Sequence, residues 1–202
     1  MTPVSYVEDP AVAYGKTTKI RDIKRRIRYP RTAAEYLRFK PRDGIKYEWI
    51  EGKLYKSKNM ITPEQFYIVE NLQRAFAKTT AYENGDYFMP ETKSKTKEES
   101  YRIPDIGYFT VEQKAVMRKG EAVTPQFAVE IISNTDDAIE VDNKMEEYFK
   151  AGVKLVWHIY PKAGKVLVFT SPDEIAVCRG NMLCDAGRVI AGFSILAEDI
   201  FK

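Results

Sequence analysis

The apolar residues follow two periods, and each switch between them marks an element boundary. Thr32-Ala33-Ala34-Glu35 is a capping box, in which Thr32 takes the amide of Glu35 and Glu35 reaches back, so AAEYLRF is expected to be a short helix. KYEWI and KLYKS flank Glu51-Gly52 and predict a hairpin, with Tyr47, Trp49, Leu54 and Lys56 not all expected on one face. Thr62-Pro63-Glu64-Gln65 starts a second helix with Pro63 at its first position. Phe66, Val69, Leu72, Gln73 and Phe76 then recur at helical spacing through about Lys78. Asp86–Glu91 reads as a strand, and KSKTKEES (Lys93–Ser100) as a charged loop or hairpin tip. YRIPDIGYF (Tyr101–Phe109) is rich in strand formers, but Pro104 has no N–H to give a ladder, so the segment bends or lies at an edge there. Asp105 follows at that bend, where its carboxylate can turn from the core into a cleft. Thr110–Gly120 is polar, a helical turn and a loop.

The central stretch is Gln126–Tyr148, QFAVEIISNTDDAIEVDNKMEEY. It opens as a buried strand with one acid, Glu130, inside the apolar run. After a polar turn, Ile139, Val141, Met145, Tyr148 and Phe149 form the apolar side of a long helix that Gly152 ends as a C-terminal cap. Lys144 borders that side. KLVWHIY, KVLVFTS and EIAVC follow as strands, with a turn at Pro161–Gly164, and ILAEDIF closes with a helical turn. This order predicts a mixed α/β (α+β) core.

Composition alters the picture mainly at the N-terminus. The chain has 202 residues and a net charge of +3, ordinary for one globular domain with additions. Between Lys16 and Arg31, however, eight basic residues face the single acid Asp22. Such a block either neutralises backbone phosphates or is a solvated arm. The chain therefore divides into a basic arm, 1–31, and a domain, 32–202. Cys178 and Cys184 are too few for a disulfide framework and lack the partners of a zinc site, so they read as reduced, packed thiols. With no apolar run near membrane-span length and no signal pattern, the expected setting is cytoplasmic, with no membrane.

A carboxylate in a buried strand is costly to ionise unless a charge meets it. Asp105 lies 25 residues before Glu130, on a strand that can neighbour it. Two such carboxylates repel unless a cation sits between them, and oxygen-only ligands suit a hard ion, Mg²⁺ above all. Lys144, 14 residues after Glu130, is spaced to orient a water beside such an ion and to offset charge on a phosphate. The same residues also fit a purely structural ion pair.

RIPDIGYF, FAVEIISNTD and DNKMEEYFKAGVKLVWHIYP, with KYEWIEGKLYKS, TPEQFYIVENL and ILAEDIF, resemble the Uma-two family of restriction-endonuclease-like proteins, in the PD-(D/E)XK nuclease superfamily. The resemblance runs from about Thr32 to the C-terminus. It implies a mixed sheet flanked by helices, with Pro104-Asp105 as the superfamily's PD and Glu130 as its second acid. The usual lysine position, two residues after that acid, holds Ile132, so the resemblance assigns the role to Lys144. It adds the carbonyl of Ile131 as a metal ligand and Glu48 as an acid near the first strand, although Glu48 alone also fits a surface acid on a hairpin. Where the family tends to carry an aspartate, this chain has Tyr160. The only histidine, His158, alternates on a strand and reads as a packed or exposed side chain. Ser133 and Asn134 shape the rim or make the turn, and Asp136, Asp137 and Asp142 suit the dipole of a helix start.

The expectation is thus a Mg²⁺-dependent endonuclease acting on DNA, with Mn²⁺ as a substitute ion and, by superfamily analogy, a homodimer. The alternatives are a nucleic-acid-binding or interaction domain that keeps the fold and cuts nothing, and a small-molecule hydrolase using the same acids.

Overall fold

The computed structural model describes residues 28–59 and 61–202, so most of the basic arm lies outside the described residues. Helix α1 (Ala33–Arg38) begins at Thr32, whose Oγ1 accepts from Glu35 N at 3.1 Å. Glu35 answers to the N–H of Arg31 at 2.8 Å, one residue upstream of the expected box partner. Strands β1 (Ile45–Ile50) and β2 (Lys53–Asn59) are joined by Glu51 and Gly52 at φ +50° and +76°, the two left-handed residues of a primed hairpin turn. This turn sets Tyr47 opposite Lys56 and Trp49 opposite Leu54. Opposed residues point to the same face, so these four do share one, contrary to the sequence expectation.

Helix α2 (Pro63–Phe76) follows, with Gln65 Oε1 accepting from Thr62 N at 3.1 Å. Its inward stripe is Ile68, Leu72 and Phe76, while Phe66 is 57% exposed, so the helix is rotated from the expected face. Next come α3 (Thr80–Glu83), β3 (Tyr87–Pro90), β4 (Ser94–Lys97), β5 (Ser100–Arg102), β6 (Ile106–Phe109) and α4 (Val111–Met117). The charged tip is thus a hairpin, β4–β5, and Thr110–Gly120 holds a two-turn helix. The chain continues through β7 (Phe127–Ile131), α5 (Ala138–Lys150), β8 (Leu155–Tyr160), β9 (Lys165–Ser171), β10 (Glu174–Arg179), β11 (Leu183–Asp185), β12 (Ser194–Leu196) and α6 (Ala197–Ile200).

A six-stranded mixed sheet runs β10-β9-β8-β7-β6-β3, and a four-stranded antiparallel sheet runs β2-β1-β5-β4. Only β7 and β8 of the six are parallel, because α5 carries the chain back between them. Pro104 lies between β5 and β6, where the chain leaves the small sheet for the large one. Alternation along β7 divides the core. Phe127, Val129 and Ile131 join Trp157 and Ile159 against Ile68, Leu72 and Phe76 of α2 and the β12–α6 end. Ala128 and Val156, on the other face, lie under Met145 and Tyr148 of α5. Each buried Val, Leu, Ile, Phe or Met side chain among them contributes about 1.5–3 kcal/mol relative to exposure.

Helix α5 also differs from its expected face. Lys144, Met145 and Tyr148 are buried, whereas Ile139 is 72% exposed. Gly152, at φ +97°, stops the helix with its N–H on the carbonyl of Phe149, as expected. Both cysteines are buried and unbridged. No helix among the described residues is long and apolar enough to cross a membrane.

Candidate active site

Where the two sheets meet under α5, a group of charged side chains is buried. Glu130 stands in β7, and Asp105 precedes β6 by one residue, just beyond the rung that pairs Ile106 with Val129. Asp105 Oδ2 accepts from the N–H of Ile131 at 2.6 Å, and its Oδ1 accepts from Lys46 Nζ at 2.6 Å. It is 2% exposed, so it does not turn into an open cleft; Pro104 aims it at the end of β7. Lys144 Nζ lies 2.9 Å from Glu130 Oε1 and 3.1 Å from Glu48 Oε1. Tyr148 donates its hydroxyl to the same Glu130 oxygen at 2.7 Å. Glu48 also accepts from Ile103 N at 2.8 Å and from Arg102 at 3.0 Å.

Local periodicity explains the delivery. Lys46 and Glu48, two apart on β1, share the face turned to this junction, and both are 2% exposed. Glu140, Lys144 and Glu147 share a stripe of α5, at i, i+4 and i+7. Arg102 bonds the two acids of that stripe, Glu140 at 2.9 Å and Glu147 at 2.8 Å. The clamp seats the helix, and Lys144 between the two contacts is carried to Glu130. Thr96 adds a hydrogen bond to Glu147.

The electrostatics follow from burial. Desolvation pushes the Glu48 carboxyl up, but Lys144, Arg102 and the Ile103 N–H together outweigh it and hold the group below its ordinary value. Arg102 loses hydration too, yet Glu48 and Glu147 raise its affinity for its proton. Burial, then the charges of Glu130 and Glu48, push the Tyr148 hydroxyl well up, so it keeps its proton and donates. The cavity beside this group measures about 690 Å³. Among the described residues its charged lining is Glu48, Glu130, Asp136, Asp137 and Glu140 against Lys56, Arg102 and Lys144. The excess of acids attracts cations and, without one, disfavours phosphate.

The donors fit a hard divalent ion in kind: the carboxylate of Glu130 in β7, that of Asp105 just before β6 and a carbonyl are all oxygen ligands. Among the described residues no three His, Cys, Asp or Glu side chains converge as a cage. Mg²⁺ needs none, since it is usually held by one or two carboxylates and water.

The structure thus brings Glu130, Lys144 and Glu48 into direct contact and joins Asp105 to them through the Ile131 amide. Glu48 is buried and is not a surface hairpin acid. Ile132 lines the cavity with its N–H on the carbonyl of Ile159 at 2.7 Å. His158 pairs in register with Glu130, but its ring packs on Phe169 with centroids 4.8 Å apart, so it is a packed side chain. Tyr160 is half-buried, with Lys165 Nζ 4.5 Å from its ring centre. Ser133 and Asp136 close the turn, with Ser133 N on Asp136 Oδ2 at 2.9 Å, and Asp137 caps α5 through Glu140 N at 2.9 Å.

Sequence reasoning missed Lys46, Arg102, Glu140, Glu147 and the hydroxyl of Tyr148. A signal existed for two of them. Lys46 shares alternation with Glu48, and Tyr148 stands four residues after Lys144 on one helical face.

Comparison with known proteins bears on the fold and the family. The crystal structure titled a "putative nuclease belonging to DUF820", from Anabaena variabilis, superposes with a TM-score of 0.69 at 20% identity, over 85% of this chain and 98% of that one. The likeness identifies the fold as restriction-endonuclease-like. Comparison with curated proteins gives no match. The profile of the Uma2 family, described as "Putative restriction endonuclease", matches residues 33–197. Matched over most of its length, the chain belongs to the Uma2 family.

Proposed function

We propose that this chain is a Mg²⁺-dependent endonuclease that hydrolyses phosphodiester bonds in DNA. The observation that carries the reading is the convergence of Lys144, delivered by α5, on Glu130 and Glu48 at the wall of a charged cavity. A lysine ammonium and acids brought to it from two sheets are the parts that water-mediated attack on phosphorus requires. Asp105, Glu130 and the carbonyl of Ile131 would hold the ion, which supplies an acidified water and neutralises phosphate oxygens when bound. Lys144 orients the attacking water and offsets charge on the phosphate. Tyr148 fixes the rotamer of Glu130 by donating to Oε1. Glu48, itself held by Arg102 and the Ile103 N–H, keeps Lys144 aimed at the cavity. Cutting both strands calls for two copies of the chain, a homodimer, and the basic arm supplies backbone contacts that carry no sequence information.

One observation favours a second reading. Lys46 occupies Asp105, and an acid already matched by an ammonium suits a DNA-binding domain that keeps the fold and cuts nothing. A plasmid assay separates the two. With Mg²⁺ or Mn²⁺, the full chain is expected to nick or linearise supercoiled DNA, and EDTA or Glu130→Gln should abolish this. Plasmid left intact with both ions, though still retarded in a gel, selects the second reading.

A further inference from the structure

Lys46 has no part in the chemistry above, yet its side chain is 1% exposed and its Nζ sits 2.6 Å from Asp105 Oδ1. A second carboxylate, Glu91, waits 3.6 Å away. Glu91 directly follows β3, and its N–H donates to the carbonyl of Asp105 at 3.1 Å. Its φ is +47°, a left-handed backbone that side chains other than glycine seldom adopt and that persists where the surroundings require it. Its Oε1 accepts from Ile61 N at 2.7 Å, which fixes the carboxylate beside Lys46. A separate cavity of about 460 Å³, lined by Lys46, Glu91, Ile45, Ile103 and Met117, leaves room for the lysine to shift.

An ammonium at that distance stands where an ion bound to Asp105 would need space, and two cations on one carboxylate repel. With no ion, removing the ammonium would leave a buried, uncompensated charge, which is strongly unfavourable. Resting on the reading of Asp105 as a metal ligand, we propose that Lys46 and a divalent ion exclude each other at Asp105: the lysine holds the carboxylate in the metal-free protein and transfers to Glu91 when the ion binds. Lys46 is a positioning residue that tunes affinity for metal, since the ion binds only the fraction of molecules in which Asp105 has been released.

Mn²⁺ binding to the full chain, followed by the EPR signal of the unbound ion, tests this. Lys46→Met should bind Mn²⁺ about tenfold more tightly than the unaltered protein. Glu91→Gln, which takes away the landing charge, should bind it more weakly. Equal or weaker binding by Lys46→Met overturns the exclusion while leaving the metal site intact. Absence of binding by both the unaltered chain and Lys46→Met overturns the metal reading itself and the exclusion with it. Should Lys46→Met fail to fold, NMR of the unaltered chain decides. On Mg²⁺ titration the Lys46 ammonium signal should move in step with the Ile131 amide, which bonds Asp105. Movement of the Ile131 amide with a stationary Lys46 signal overturns the proposal.

Discussion

Glu48 shows how a buried acid is kept charged. Lys144, Arg102 and a backbone N–H more than offset its desolvation. A carboxyl lowered in the folded state contributes stability that is present above its ordinary value and lost as the pH falls through the folded one. Glu48→Gln should therefore lower stability at neutral pH and shallow the loss below about pH 4.5, as read by urea unfolding across pH. An unchanged acid limb would show that Glu48 is not held this way. Arg102→Met leaves Glu147 with Thr96 and Glu48 with Lys144 and the Ile103 N–H, an incomplete set for buried acids, and should destabilise by about 3–5 kcal/mol. The exposed pair Arg74–Glu70, by contrast, should lose no more than about 1 kcal/mol on Arg74→Ala. Chemical denaturation compares the two. Lys144→Met, which takes the ammonium from the buried Glu130 and Glu48, should cost about 3–5 kcal/mol of stability and abolish DNA cleavage, checked by circular dichroism and urea unfolding beside the plasmid assay. Glu130 was legible in the sequence because one acid in an apolar run stands out. Lys46 and Arg102 were not, because a basic residue in an alternating strand looks solvent-facing until a second layer covers that face.

At the scale of elements, helices and strands could be read from period, but helix faces less securely. Phe66 and Ile139 fell at apolar spacings and yet are exposed, while Lys144 took an inward position. The reason is local: the first turns of α5 border a charged cavity, so the core-facing stripe there is polar, and counting apolar residues rotates the helix. The hairpin register escaped for a related reason. The two-residue turn at Glu51-Gly52 fixes the pairing, and β1 is buried on both faces, so its polarity pattern does not declare an inside. Caps were read more reliably. Gly152 has open space around a would-be Cβ, so Gly152→Ala tests backbone strain alone. It should cost about 1–2 kcal/mol, measured by calorimetry.

For the whole molecule, Pro104 has more consequence than its bend suggested, because it moves the chain between sheets and sets Asp105 beside the end of β7. The fold class was legible from element order, and the ordered motifs from Thr32 onward carried the family. The pairing of a small sheet with a large one was not legible, since nothing local says which strands meet. The basic arm belongs to this scale too. If its side chains meet phosphates, Arg25→Gln with Arg26→Gln should lower the slope of log affinity against log salt by about 2, with cleavage at saturating DNA retained. Fluorescence anisotropy at several salt concentrations measures that slope.

The central claim is that Asp105 and Glu130 hold a divalent ion which Lys144 serves. Anomalous diffraction from a crystal soaked in Mn²⁺ tests it most directly. One ion should lie between the two carboxylates, bound by both, with Lys144 Nζ beside one of its waters. A saturated crystal with no ion between Asp105 and Glu130, and Lys144 still closed on Glu130 and Glu48, would contradict it.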